Sequence, residues 1–536
     1  MVRVAVIQID SSGRSPSPEA HALSSCARLI DRAVAEHAPA VVLFPELELP
    51  DEEELASALA STLQERALQH RLWLVGSVRH RGETHAVWTT PEGELTSRLA
   101  SDLERTGAGT FAPEAAIIST SYGKIGLCVG REGLHFKVSR ALSLAGAEWV
   151  CASLALCTDA ELSLRIPARA AENRLFYAVA ARRDGEPELY PTDLLTLPPE
   201  VATAQVERPA VSQIVAPTGL RVACGEITVF ELLSPDLAPA PEWLSKVSPR
   251  PELYRGFPLR SRSPTHARTI AELDVAALAF SDLGSVSDAI AWAREHVEEL
   301  AAKEVGLVVL PELFCFDPNL SDLQHAAAAD FLTIVQALAR ACRRSATHVA
   351  TSLVEQVGDA FFHVGVLIGQ GGIVLRQAQL HPTARLAWAE PGRRLDTAHL
   401  PWGSFALAVG EDALVPEVLD ALGRADVEVL AAPLSARIAP LASLTLAAAT
   451  DEAGYAVVAA TRPEHSSDGQ LVSASFVADP ARWPLRRALA EQEALRATVQ
   501  LALIRNLRAA ARHARPARPE PARVRAQTPA PAPALD

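Results

Sequence analysis

Two stretches of this chain close a buried apolar run with the same Pro-Glu-Leu, and the segments around them recur in the same order. The first reads APAVVLFPELELP and carries Glu46; the second reads EVGLVVLPELFCF and carries Glu312. Each places a carboxylate at the mouth of a β-rich run. Further along, GKIGLCVGREGLHFKVSRALSLAGAEWV answers GSFALAVGEDALVPEVLDALGRADVEVL. Such a repeat marks an internal duplication. At 536 residues the chain is also longer than one core usually serves.

In the first pass, MVRVAVIQID alternates as a strand, residues 19–38 have helical periodicity, and VVLFPEL follows as a buried strand. RLWLVGSVRH and THAVWTTPEGEL read as two strands, KIGLCVG as a third, FKVSRALSLAGA as a helix and EWVCASL as a strand. SLRIPARAAENRLFYAVAARR predicts a helix running into a strand, and VSQIVAPTGLRVACGE a hairpin. The second pass repeats this order: AELDVAALAF, a serine-capped helix over SVSDAIAWAREHVEELAAK, VGLVVLPEL, then ATHVATSLVEQ and FFHVGVLIGQGGIVL turning at Gly369–Gly372. SFALAVG, VPEVLDALGRA and VEVLAAPL follow, LVSASFVADPARW closes as a hairpin, and QEALRATVQLALIRNLRAAAR predicts one final helix. Strands alternating with helices in each copy predict a layered α/β fold. The expected boundaries are a first domain over 1–235, a Pro-rich linker over 236–268, a second domain over 269–511 and a disordered Pro/Ala/Arg-rich tail over 512–536.

The formal net charge of -14 disfavours binding to a nucleic-acid backbone, which needs a basic face. It leaves small-molecule and protein partners open. No apolar run approaches the roughly 18 residues of a membrane span, and the opening strand is not a signal segment. The seven cysteines show no paired metal spacing, so reduced, buried thiols in a cytoplasmic protein are expected, with no metal and no cofactor. No phosphate-binding glycine loop is present. Abundant Ala, Arg and Pro with a single Met points to GC-biased, bacterial coding.

The FPEL and LPEL sites, the segments ending RALSLAGAE and PEVLDALGRADVE, and the run Arg169 to Arg174 resemble the nitrilase (carbon-nitrogen hydrolase) superfamily. The second copy keeps the shape of that last run in AAATDEAGYAVVAATR, without its Glu-Asn-Arg. The resemblance implies two tandem αββα sandwiches packed through their helices as an internal pseudo-dimer. It also implies hydrolysis of a carbon-nitrogen bond by three groups: a cysteine nucleophile, a glutamate base and a lysine that steadies the oxyanion. Only the glutamates, Glu46 and Glu312, are kept. Gly130 and Gly410 stand where the resemblance places the cysteine, and the lysine positions fall near Ala100 and Gln377. Lysine occurs in the chain only at Lys124, Lys137, Lys246 and Lys303. The accessory glutamate has no clear match; Glu104 is near but displaced.

The leading expectation is therefore a degenerate member that binds a small molecule or acts as a regulatory or scaffold protein. Self-association, or pairing with an active homologue through the helical face, stays open. The alternative is an active amidase or nitrilase using Glu46 or Glu312 with a displaced nucleophile. Cys128, two residues before Gly130, is expected on the same strand face about 6.6 Å deeper, and Cys315 three residues after Glu312. Packing in the core is the simpler role for both. Glu132, Glu411 and Asp412 are candidate acid/base partners next to the elbow glycines, and Arg131 is a candidate clamp or helix cap. His135, His363 and His381 show no triad or metal spacing.

Overall fold

The structure is a computed structural model that describes residues 2–9, 18–49, 53–100, 112–157, 161–182, 212–232, 249–254, 270–279, 284–316, 323–465, 471–473, 475–480, 486–487 and 494–514. Of the expected tail over 512–536, residues 512–514 continue the helix Leu501–Ala514 instead of being disordered; residues 515–536, most of the linker and Glu104 lie outside the described residues.

Each copy is two sheets face to face with helices on both outer surfaces. In the first copy one sheet runs Ile227–Leu232, Val2–Ile7, Val41–Leu43, Trp73–His80, Glu83–Thr89, Leu95–Leu99. The other runs Arg221–Cys224, Gln213–Val215, Phe176–Arg182, Trp149–Leu156, Gly123–Val129, Ile117–Thr120. The central strands are parallel and buried on both faces, which explains their unbroken apolar sequences. Alternation sorts the side chains. Val4, Val6, Val41 and Leu43 meet Ile125, Leu127 and Val129 between the sheets. Ala5, Ile7, Val42 and Phe44 face the helices Pro18–His37 and Glu53–His70. On the far side, Cys128, Val150 and Tyr177 meet the helices Phe136–Leu144 and Ile166–Asn173.

The second copy repeats the plan. Its sheets run Gly372–Ala378, Ala360–Gly369, His348–Val357, Leu307–Glu312, Leu273–Leu278, Ala494–Val499 and Ala398–Leu400, Gly403–Leu407, Val429–Pro433, Ala456–Ala460, Phe476–Ala478, Arg486–Arg487. One expectation is overturned here. The segment read as a single final helix begins as the strand Ala494–Val499, antiparallel to Leu273–Leu278, and turns helical only at Leu501. Without it the backbone of Leu273–Leu278 would be left unpaired on that side. Leu495 and Val499 point into the inter-sheet core. Ile227–Leu232 does the same for Val2–Ile7 in the first copy.

The two sandwiches pack through the helices on their inner flanks. Ile166–Asn173 lies along Ala439–Ala453. Leu164, Ala168 and Ala171 of the first copy join the core built by Val418, Leu422, Leu444 and Ala448 of the second. Across this seam Arg140 Nε donates to Glu417 at 2.9 Å and Arg165 Nε to Asp451 at 2.9 Å. Arg169 lies 3.2 Å from Glu452, and Lys137 lies 3.6 Å from Asp420. From the linker, Arg250 donates to the carbonyls of Leu380 and Gly392, which lays that stretch on the second copy. Among the described residues no helix is long and apolar enough to cross a membrane.

Candidate functional site

In each copy the Pro-Glu-Leu turn crosses from one sheet toward the other. The Glu46 amide donates to the Leu154 carbonyl at 3.2 Å, and the Glu312 amide to the Leu434 carbonyl at 3.3 Å. Both glutamates are thereby held at the carboxyl ends of parallel strands, where open α/β sheets gather ligands. The facing strands, Gly123–Val129 and Gly403–Leu407, lead to Gly130 and Gly410. Both glycines have φ +55 and open a 3-10 turn. Left-handed backbone at a strand-to-helix turn aims the side-chain direction out of the strand and into the site.

At the first site, a Cβ on Gly130 would stand 3.3 Å from Glu46 Oε2 and 3.4 Å from Thr84 Cγ2. Glu46 is buried, and its Oε2 accepts from the Thr84 hydroxyl at 3.0 Å. Burial raises its pKa, against the Thr84 bond and the more distant charges of Arg79 and Arg182. Among the described residues no cation forms an ion pair with it. Arg131 points outward and pairs with Glu161 at 3.3 Å. Glu132 is a brace: it accepts from the Val129 amide at 3.2 Å and from Arg98 at 2.5 Å.

The second site is filled by its own side chains. The Arg385 guanidinium sits between two carboxylates, donating to Glu411 through Nε at 2.6 Å and lying 2.7 Å from Glu312 Oε1. The Glu312 contact is an ion pair not aligned as a hydrogen bond, and among the described residues neither Glu312 oxygen has a hydrogen-bond partner. Burial pushes Glu411 up, but Arg385 and Gln379 outweigh it and hold the carboxyl below its usual range. Gln379 Nε2 donates to Glu411 at 2.6 Å, so its Oε1 accepts from His363 Nδ1 at 2.8 Å. On its other side His363 Nε2 is hydrogen-bonded with the Ser352 hydroxyl at 2.8 Å. A Cβ on Gly410 would meet Gln379 Nε2 at 3.0 Å and His363 Cε1 at 3.3 Å. Asp412 accepts from the Leu380 amide at 2.7 Å and from the amide and ring of His381.

The structure thus brings Glu46 to Gly130, and Ala100 to the strand pairing beside them, since the Ala100 amide donates to the Thr84 carbonyl. In the second copy the matching bond runs from the Gln379 amide to the His363 carbonyl. Gln379, two residues past the expected position, therefore takes the place of Ala100. Gln377 is engaged elsewhere, donating to the carbonyls of Ala378 and Arg394 and accepting from the Asp396 amide. The expected face of Cys128 is also corrected. The positive φ of Gly130 ends the strand's alternation, so Cys128 lies on the helix side with Val138 and Leu142, away from Glu46. Cys315 packs in the core with Phe314 and Phe316. Burial raises both thiols, and it pushes Cys157, at the end of Trp149–Leu156, up to about 12. His135 Nδ1 accepts from the Lys137 amide as a helix cap. Among the described residues no cluster of three or more His, Cys, Asp or Glu could hold a metal. The sequence reading missed Thr84, Ser352, Gln379 and Arg385, none of which carries a motif.

The sequence profile of the family described as Carbon-nitrogen hydrolase matches residues 3–223 and 275–509. No curated protein matches by sequence. Among solved structures, Nit3 of Saccharomyces cerevisiae, a member of branch 10 of the nitrilase superfamily, aligns at 18% identity over 45% of this chain and 94% of its own, with a TM-score of 0.40. A carbon-nitrogen hydrolase from Helicobacter pylori G27 aligns at 17% identity over 45% and 94%, TM-score 0.40. An amidase from Nesterenkonia sp. aligns at 21% identity over 43% and 90%, TM-score 0.33.

Proposed function

The chain belongs to the carbon-nitrogen hydrolase family, and on that premise we propose that it has lost cysteine-dependent hydrolysis at both sites and binds a small molecule at the first, in a regulatory or scaffolding role. The observation that carries this reading is the pair of elbow glycines. Gly130 and Gly410 keep the φ +55 turn that would present a nucleophile, yet have no side chain to present. A thioester needs a sulfur at that atom. Desolvation pushes the nearby thiols of Cys128 and Cys157 up, and a thiol is a far weaker nucleophile than a thiolate. Glu46 and Glu312 remain, but neither region supplies a lysine for the oxyanion.

The two sites differ in what they leave free. Arg385 and Gln379 occupy the second, so a ligand entering there would have to displace a buried ion pair. At the first, Glu46 has a hydroxyl partner and, among the described residues, no paired cation, which leaves its carboxyl to meet a donor on a ligand.

The test is ammonia release over a panel of amides, carbamoyl compounds and nitriles, beside the E46Q, E312Q and C128S variants. The same panel is read by thermal shift. Expected are no ammonia and a ligand-induced shift that E46Q abolishes and E312Q keeps. Turnover lost on E46Q or C128S would instead establish the active amidase or nitrilase reading and name its site. A double variant, G130C with A100K, asks whether the rest of the catalytic geometry survives.

A further inference from the structure

The seam between the copies is charged in one direction. In all four described bridges across it the cation comes from the first copy and the anion from the second: Lys137 to Asp420, Arg140 to Glu417, Arg165 to Asp451, Arg169 to Glu452. Two of these are images of one another. The helices Phe136–Leu144 and Pro416–Arg424 are both nine residues long and follow directly on the turns that begin at the elbow glycines. Lys137 and Glu417 are each the second residue of their helix; Arg140 and Asp420 are each the fifth. The second residue of one helix therefore meets the fifth of the other, twice, as an isologous contact requires. At both positions the first copy is basic and the second acidic.

Chemically alike copies could not use this geometry. Two first-copy faces would set Lys137 against Arg140 at both contacts, and two second-copy faces would set Glu417 against Asp420. Arg140 and Glu417 are mostly buried, so solvent would do little to screen the repulsion. The acidic face would also lose the cation at Glu452, which is paired with the buried Arg169.

We infer that this polarity is a pairing code. The basic face of the first copy fits an acidic helical face such as that of the second, and rejects another basic face. The acidic face in turn rejects its like. The seam thus pairs a first half with a second half, and contact between two first halves or between two second halves is turned away by like charge.

Charge swaps in the full-length chain test this. K137E with R140E makes both faces acidic, and E417K with D420R makes both basic. Each pair alone is expected to lower the thermal midpoint and enlarge the hydrodynamic radius. All four together reverse the polarity and should recover most of both. Recovery separates pairing from mere intolerance of substitution; if the fourfold variant is as impaired as either pair, the inference fails. A second arm uses the full chain with a protease site inserted in the 236–268 linker and a tag on the first half. Tagged and untagged chains are mixed, cut and allowed to exchange. The tag should retain second halves only. Co-purification of untagged first halves would overturn the code.

Discussion

Glu46 and Glu312 occupy the same place in two copies and keep opposite electrostatic company, so removing a charge from each site should have opposite signs. Glu46 is raised by burial and supported by one hydroxyl. Its folded pKa lies above the unfolded one, so its stabilising contribution is full at low pH and lost as pH rises through the folded value. E46Q keeps a neutral group of the same shape and should be as stable as the parent or more so at neutral pH. R385Q strands Glu312 and Glu411 as two buried carboxylates without their cation, and breaking a buried pair costs about 3–5 kcal/mol. Urea unfolding midpoints decide this; an E46Q loss as large as that of R385Q would mean Glu46 is held by a pairing not described above. A cysteine at either elbow should cost about 1–2 kcal/mol for a left-handed backbone before any repacking. Of these residues, the glutamates and glycines were legible because they sit in runs that repeat. Arg385 was not, because it reaches the site from a separate turn, Ala384–Leu386, and only the fold brings it between the carboxylates. Gln379 was missed by one pleat: Gln377 and Gln379 share a strand face, and sequence alone does not say which pairs with His363.

Along the seam helices, two groups shifted in opposite directions set a pH window. Glu172, on Ile166–Asn173, is pushed up to about 8 by burial, with Glu452 and Glu417 adding to the shift and Arg169 and Arg140 opposing it. Unfolded, it ionises near 4.5, so from there to about 8 the folded chain holds a proton the unfolded chain has released, and stability falls as pH rises. His135, capping the neighbouring helix, is pushed down to about 4 by burial and by Lys137 and Arg169. Unfolded, it takes a proton below 6.5 that the folded chain refuses, so stability falls as pH drops. Between 4.5 and 6.5 the two slopes cancel. Their joint contribution is a plateau there, with losses on either side. Thermal midpoints across pH 4 to 9 should show E172Q flattening the alkaline limb and H135N the acid limb; if neither limb moves, these groups are not what titrates. Most elements were readable from their periods, since helices with one apolar stripe and strands of Val, Leu and Ala announce themselves. The helices Glu53–His70 and Phe331–Ala341 went unread, and one segment was assigned the wrong element. ALRATV reads as helix by propensity, and Ala494–Val499 is a strand because Leu273–Leu278 needs a partner on that side.

At the scale of the whole molecule, the duplication was visible in the sequence, but how the copies share a core was not. Leu164, Ala168 and Ala171 are buried in a cluster whose other members belong to the second copy. The hairpin glycine Gly219 has φ +81 and leaves room for Leu444 from across the seam, where a Cβ would collide with it. Neither sandwich therefore closes its own inner flank. Removing the other copy would expose apolar helix faces and leave Arg169 and Glu452 without each other. Domains that merely touch unfold separately, whereas domains that complete one core unfold together. Calorimetry should accordingly show one endotherm whose van't Hoff and calorimetric enthalpies agree. L444A removes buried atoms at the seam and should cost about 2–5 kcal/mol, lowering that single transition without leaving half of the enthalpy behind. Two transitions in the parent chain, with L444A moving only the one that belongs to the second copy, would show that each sandwich is stable alone and that the seam is a contact between finished domains.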